Sequence, residues 1–277
     1  MPSWHCTGDG HYYPAMLTPH EYTVLSCDHP NVLDNNLAVH HNHLDHKFQQ
    51  NLAYLLTANT QTEFRIWRLE VGLCKQTLFS SLPCQPLLVS NIFTMDIMHL
   101  TVLNDPDLFI KLFTGKINVY EPDDKSTWDW AVFYKNDALW KAHREMVVRA
   151  VPFIPSSFGQ APQDPAKKIN TGYKAWEYQQ YIYGLGPTLF WHLLPRKYWL
   201  NFCKLVAGVH ILHHHSIVHS DLHSLLSDFT CEFECLYYQC MEAHIHFVRQ
   251  SIHLLTHMGP ETFWLTHWCV TLSRRWR

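Results

Sequence analysis

The sequence has no surplus of basic residues. Lys and Arg number 21 against 24 Asp and Glu, for a formal net charge of -3 at pH 7. A broad phosphate-binding surface needs clustered cations, so the charge argues against that class and leaves room for local patches. No stretch reaches 18 apolar residues, and the opening MPSWHCTGDGHYYPAM has neither the basic segment nor the apolar run of an export signal. No membrane span and no secretory route are expected, which points to a soluble intracellular protein. The nine cysteines are odd in number and irregularly spaced, a usage that fits a reducing compartment better than a disulfide framework.

Two enzyme signatures are also incomplete. LHHHSIVHSDLHSLL echoes the catalytic loop of a protein kinase, but Leu226 stands where the second-metal Asn belongs and no Gly-rich phosphate loop lies upstream. Asp228 also follows Asp221 too closely for the intervening hairpin, so Asp221 reads as a helix cap. His253 and His257 lie one helical turn apart, yet Leu254 occupies the place of the metalloprotease Glu. Gly259 and Pro260 should end that helix before Glu261, which makes a helix-borne metal site at these positions the weaker reading.

What is present is mainly helical. At 277 residues and 47% apolar content, the chain can bury a sizeable core in one large domain or two small ones. Tyr198, Phe202, Leu205, Val209 and Leu212 recur at steps of three and four, as do Leu222, Leu225, Phe229, Phe233, Leu236 and Cys240. That spacing predicts two amphipathic helices, the first opening at Pro195 and the second capped by Ser220 or Asp221. A third is expected from about Phe247 to Met258. Earlier, TQTEFRIWRLEVGLC reads as a helix capped by Thr60 or Thr62 with Phe64, Trp67 and Val71 on one face. Ser126 or Thr127 should cap a helix running to about Ala150, with Asp123, Asp124 and Asp129 complementing its dipole rather than binding metal. A Tyr- and Trp-rich helix is expected from Gly172 to Gly184, and Leu87 to Phe93 is the one candidate strand. Pro152, Pro155, Pro162 and Pro165 make 152–168 a linker between a region 1–151 and a region 169–277.

Histidine is the unusual residue, with 22 in the chain, clustered at His40, His41, His43 and His46 and again at His213, His214, His215, His219 and His223. Imidazole is a common zinc ligand, but polar decoration is the plainer account. Cys6, His11, Cys27 and His29 match no standard zinc finger, so no zinc site is expected there. Cys231 and Cys235, with Cys240, His244 and His246, include one i, i+4 pair able to chelate. Set in a core-like run, these cysteines read as small buried hydrophobes. Asp96-Ile97-Met98-His99 is the remaining chemical motif. At i and i+3 on a helix, carboxylate and imidazole lie together, able to share a metal or to let one orient the other.

Several longer words carry a resemblance. LPxxYWxxFCKLVxGxxxLH, FxCEFExLYYQ and HFVRQSIHxLxHxxPE, spread over Leu194 to Glu261, resemble the C-terminal region of CACTA-type (En/Spm-like) transposases in their fungal branch. HYYPAxLxPxxY near the start and FTMDIMHLTVLN around the D-x-x-H resemble the same family's catalytic domain. The resemblance implies a mainly α chain with few strands, made of the helical portion and C-terminal region of a transposase related to the RNase H-like fold. Region 1–151 would be part of the catalytic domain and 169–277 the helical C-terminal domain. It further implies DNA as partner, a nuclear location, and Mg2+-dependent DNA cleavage and strand transfer, with Asp96 and His99 catalytic and Asp96 a metal ligand. The family's early Asp residues would lie before Met1, and the ending TFWLTHWCVTLSRRWR departs from the family's Met-Glu-Arg-like segment. A truncated, inactive transposase is therefore expected. The alternatives are a helical DNA-associated or protein-interaction module, touching phosphate through Arg274, Arg275 and Arg277, and a decayed reading frame. A lone strand at Leu87 to Phe93 would leave an open edge, so poor solubility and self-association are expected.

Overall fold

The structure, a computed structural model, describes residues 49–71, 96–119, 121–158, 160–168, 172–214, 216–239, 241–247, 249–256, 258, 259 and 262. The candidate strand, the His cluster at 40–46, the Cys6 group, Cys240 and the terminal arginines lie outside these residues. The described residues are mainly helical with no strand among them. None of their helices is long and apolar enough to cross a membrane. The chain divides into two compact units, Met1–Thr94 with Cys240–Gln250, and Met95–Gln239 with Ser251–Arg277.

In the first unit a helical run at 49–56 precedes helix α1 (Gln61–Val71). Leu52 and Leu55 are buried, and the Tyr54 and Trp67 rings stack at 4.6 Å. Thr60 is the cap, as its hydroxyl allows: the Glu63 amide donates to Thr60 Oγ1 at 3.1 Å, and the Thr60 and Asn59 amides donate to Glu63 Oε2 at 3.1 and 2.9 Å. This reciprocal box satisfies three amides that a helix start otherwise leaves to water. Thr60→Ala should weaken the end of α1 by about 1 kcal/mol. The check is amide exchange, in which the Glu63 N–H should speed up roughly fivefold; an unchanged rate would mean that the box does not hold the turn.

The second unit is built around one long helical segment. It begins at Ile97, widens to a π-helical stretch π1 (Met98–Asn104) and continues as α2 (Asp105–Phe113). Gly115 ends it with φ +66, where a Cβ would meet Tyr134 Cδ2 at 2.6 Å, so only glycine fits this left-handed turn. The Lys116 amide then donates to the Lys111 carbonyl at 2.8 Å. Helix α3 (Asp137–Ala150) follows, then a chain of short elements at Pro165–Lys168, Ala175–Tyr178, π2 (Gln179–Leu185) and Gly186–Phe190. Helices α4 (Arg196–Leu212) and α5 (His219–Phe233) pair closely, and α5 passes into π3 (Glu234–Tyr238). A short α6 (Gln250–Leu255) comes last.

Aromatic rings fill the centre of this unit. Phe109 of α2 is fully buried, with Phe202 of α4 at 5.8 Å, Phe229 and Phe233 of α5 at 6.2 and 5.9 Å, and Tyr237 of π3 at 6.0 Å between ring centroids. Most are edge-on or tilted, the arrangement the ring quadrupole favours. Between α4 and α5 the Asn201 amide donates to the Phe229 carbonyl at 3.0 Å and Lys204 pairs with Glu232 at 2.6 Å.

Several boundaries differ from the sequence expectation. Helix α3 is capped by Asn136, whose Oδ1 accepts from the Leu139 amide at 3.1 Å, nine or ten residues beyond the expected cap at Ser126 or Thr127. Asp124 instead caps a short 3-10 turn at Lys125–Thr127, and Asp123 accepts from the Trp128 indole at 3.0 Å. Residues 128–135 are held non-helical because Trp128, Trp130 and Phe133 are buried and the Phe133 amide donates to the Phe113 carbonyl at 3.0 Å. Ser220 and Asp221 lie inside the first turn of α5, whose N-cap is Val218 with no side-chain cap bond. Within the helix expected from Phe247 to Met258, α6 covers only Gln250–Leu255, and Phe247 instead ends a 3-10 segment, Glu242–Phe247. Gly259 serves close packing rather than a left-handed cap, since a Cβ there would meet the His223 backbone Cα at 2.9 Å. The Pro-rich segment 152–168 lies inside the second unit, tied there by the Gln163 amide to Glu177 Oε1 at 3.1 Å and by Gln180 Nε2 to the Phe158 carbonyl at 2.6 Å.

Candidate functional site

The D-x-x-H pair occupies the start of the long helical segment. The Leu100 amide donates to the Asp96 carbonyl at 2.9 Å, and the His99 amide donates to Asp96 Oδ1 at 3.0 Å, so Asp96 acts as the N-terminal cap. Its other oxygen, Oδ2, lies 2.6 Å from His99 Nδ1. The His99 backbone amide first, then its side chain, hold the Asp96 carboxyl below the ordinary carboxylate range. Both side chains are 60% exposed. A carboxylate on Nδ1 fixes the ring's orientation and makes Nε2 the nitrogen that can ligate or exchange a proton.

The structure therefore brings the two predicted site residues together. A two-metal site takes carboxylates from several segments, and among the described residues no group of three or more His, Cys, Asp or Glu side chains is arranged to hold a metal ion. As a donor set the described part of the site is one carboxylate and one imidazole. Asp129, the remaining member of the acidic cluster, lies 3.7 Å from Lys197. His213 Nδ1 lies 2.8 Å from the Val209 carbonyl at the end of α4. The side chains of His253, His257 and Glu261 fall outside the described residues.

Among the acidic and imidazole side chains, Asp105, His143 and Glu234 are shifted by burial and escaped the sequence reading. Asp105 in the first turn of α2 is fully buried, and its carboxyl makes no close hydrogen bond, with the Ser251 side chain within weaker reach. Burial raises it to about 7, against a smaller lowering from the nearby Ser251 side chain. Tyr183 of π2 lies close enough to feel its charge and donates its hydroxyl to the Thr101 carbonyl. The sequence did carry a signal, because Asp105 stands four residues before Phe109 and eight before Phe113 on one helix face. His143 is the second: stacked on Phe190 at 4.9 Å and 2.8 Å from the Tyr181 hydroxyl, it is pushed down by burial to about 4 and is a neutral core imidazole. Glu234, at the start of π3, is raised by burial to about 7.

Cys231 and Cys235, expected as small buried hydrophobes, are both exposed free thiols. Cys231 stands two residues from each of Phe229 and Phe233, which on a helix places it on the opposite side from the ring cluster. No protein-family model, no curated protein and no solved structure matches this chain.

Proposed function

We propose that the chain is a transposase-derived helical protein, similar to CACTA-type enzymes, that has kept the scaffold and one arm of the active site but does not itself cut DNA. What supports the reading is the Asp96–His99 pair, joined at 2.6 Å at the exposed start of a helix whose other end is packed into the core. The words that carry the resemblance supply that core, through buried Tyr198, Phe202, Phe229, Phe233 and Tyr237. In this reading Asp96 would hold Mg2+ together with carboxylates from outside the described residues, and the bound ions would stabilise the attacking and leaving oxygens of phosphodiester cleavage. His99 would orient the Asp96 carboxylate. The partner is DNA and the location nuclear.

A plasmid-nicking assay with Mg2+ separates the outcomes. The wild-type chain and Asp96→Asn should nick supercoiled DNA equally little, at background. Mg2+-dependent nicking that disappears in Asp96→Asn would overturn the inactive reading and make the chain a working nuclease. Salt-dependent retention of duplex DNA at low ionic strength is expected from a remnant that keeps DNA contacts, and its absence would remove DNA as the partner. A second reading, a protein-interaction module, is favoured by Phe153 and Phe158, which are 85% and 68% exposed on the Pro-rich segment.

A further inference from the structure

The outer face of α5 carries a feature that the transposase reading does not use. Asp228, Cys231 and Cys235 are all exposed and fall at i, i+3 and i+7, one stripe along the helix. Cys231 lies in the last regular turn of α5 and Cys235 in the first turn of π3, where the Gln239 amide donates to the Glu234 carbonyl at 2.7 Å across five residues. In a regular α-helix a step of four residues overshoots a full turn by about 40°. The Glu234 amide donates to the Thr230 and Cys231 carbonyls, so the turn between the two cysteines keeps that regular i, i+4 spacing. The Cys231 thiol is raised first by burial, then by the charges of Glu234, Cys235 and Asp228. All three of those groups are thus within electrostatic reach of one sulfur. Such a group repels a second negative charge and gains from a cation that neutralises it.

We propose that Cys231 and Cys235 form a surface dithiol site for one soft divalent cation, Zn2+ or Cd2+, beside the exposed Asp228 carboxylate. Thiolate sulfur is the softest donor a protein offers, and the i, i+4 spacing presents two of them from one rigid helix. With no third His, Cys, Asp or Glu arranged as a ligand among the described residues, water completes the coordination. Binding replaces two S–H bonds with two metal–sulfur bonds and releases two protons to solvent, so affinity rises with pH.

The test uses the full reduced chain, Cd2+ alone as probe, and alkylation by iodoacetamide read residue by residue in peptide mass spectra. One equivalent of Cd2+ should slow labelling of Cys231 and Cys235 together by at least about tenfold while leaving Cys203 unchanged. Cys231→Ser should return Cys235 to its metal-free labelling rate and weaken Cd2+ binding about 100-fold, because the second thiol no longer acts at high effective concentration. Cys235→Ser should do the same to Cys231, and Cys203→Ser should change nothing. Protection of Cys235 that survives Cys231→Ser would show two independent thiols and overturn the site. So would Cd2+ that protects other cysteines of the chain and leaves this pair open.

Discussion

Asp105→Asn should make the protein more stable at neutral pH, by an amount that vanishes in acid. Asp105 is fully buried with no close hydrogen bond to either oxygen, and burial, outweighing the nearby Ser251 side chain, raises its folded-state value to about 7 from the ordinary 3.8. A group raised on folding contributes fully below its unfolded value and loses that contribution as pH rises toward the folded one. The loss here falls between about pH 4 and pH 7, and at about 1.4 kcal/mol per pH unit it amounts to on the order of 4 kcal/mol. Asn keeps the shape and cannot ionise, so its advantage should grow over that window and level off above it. Asp105→Leu, which also removes the unsatisfied polar atoms, should gain at least as much. Urea unfolding of wild type and variants at pH 4.5 and pH 7.5 decides the matter. The comparison at each pH cancels Glu234, which is also raised to about 7 and acts in the same direction, and His143, which is lowered to about 4 and acts in the opposite one. An Asp105→Asn protein less stable than wild type at pH 7.5, or a difference independent of pH, would mean that the carboxyl is not held neutral in the core.

Legibility in the sequence followed the range of the interactions. Tyr198, Phe202, Leu205 and Val209, chosen by period, are all buried in α4, and Leu222, Phe229 and Phe233 are buried in α5, because an amphipathic helix writes its inner face into spacing alone. The cap of α1 was narrowed to Thr60 or Thr62, and Thr60 holds it through Glu63, a contact within one turn. The missed start of α3 belongs to long-range packing, since Trp128 and Trp130 stack at 5.2 Å and Trp130 reaches Tyr198 and Tyr237 at 5.5 and 5.4 Å. Those rings hold 128–135 out of the helix that a cap at Ser126 or Thr127 would have opened. The π-helical stretches found among the described residues, π1, π2 and π3, left no trace in a reading made at 3.6 residues per turn. At the candidate site the pairing of Asp96 with His99 was legible because it is local. Carboxylates that would join them from other segments are a matter of tertiary placement, which a spacing of four residues does not encode.

The second large effect is expected at Phe109. Its ring is fully buried and lies within 6.2 Å, centroid to centroid, of Phe113, Phe202, Phe229, Phe233 and Tyr237, so it joins α2 to both long helices and to π3. Phe109→Ala removes most of the ring and leaves a cavity that five large neighbours, themselves packed on further rings, cannot close without leaving their rotamers. The expected loss is about 3–5 kcal/mol, a large share of the roughly 5–15 kcal/mol that holds a typical domain folded. Phe109→Leu, which keeps apolar volume, should lose well under half as much. Urea unfolding with near-ultraviolet circular dichroism reads both, and a loss below about 1 kcal/mol for Phe109→Ala would show that the rings pack around some other centre. The consequence reaches the candidate site through the backbone. Residues 97–113 are one unbroken helical segment, with Asp96 capping one end and Phe109 anchoring the other, so the exposed pair owes its position to a ring buried about 13 residues further along, roughly 20 Å at 1.5 Å per residue. In Phe109→Ala the amide of His99, which donates to Asp96, should therefore lose its exchange protection along with the core, whereas His99→Ala should leave the core's unfolding transition where it was.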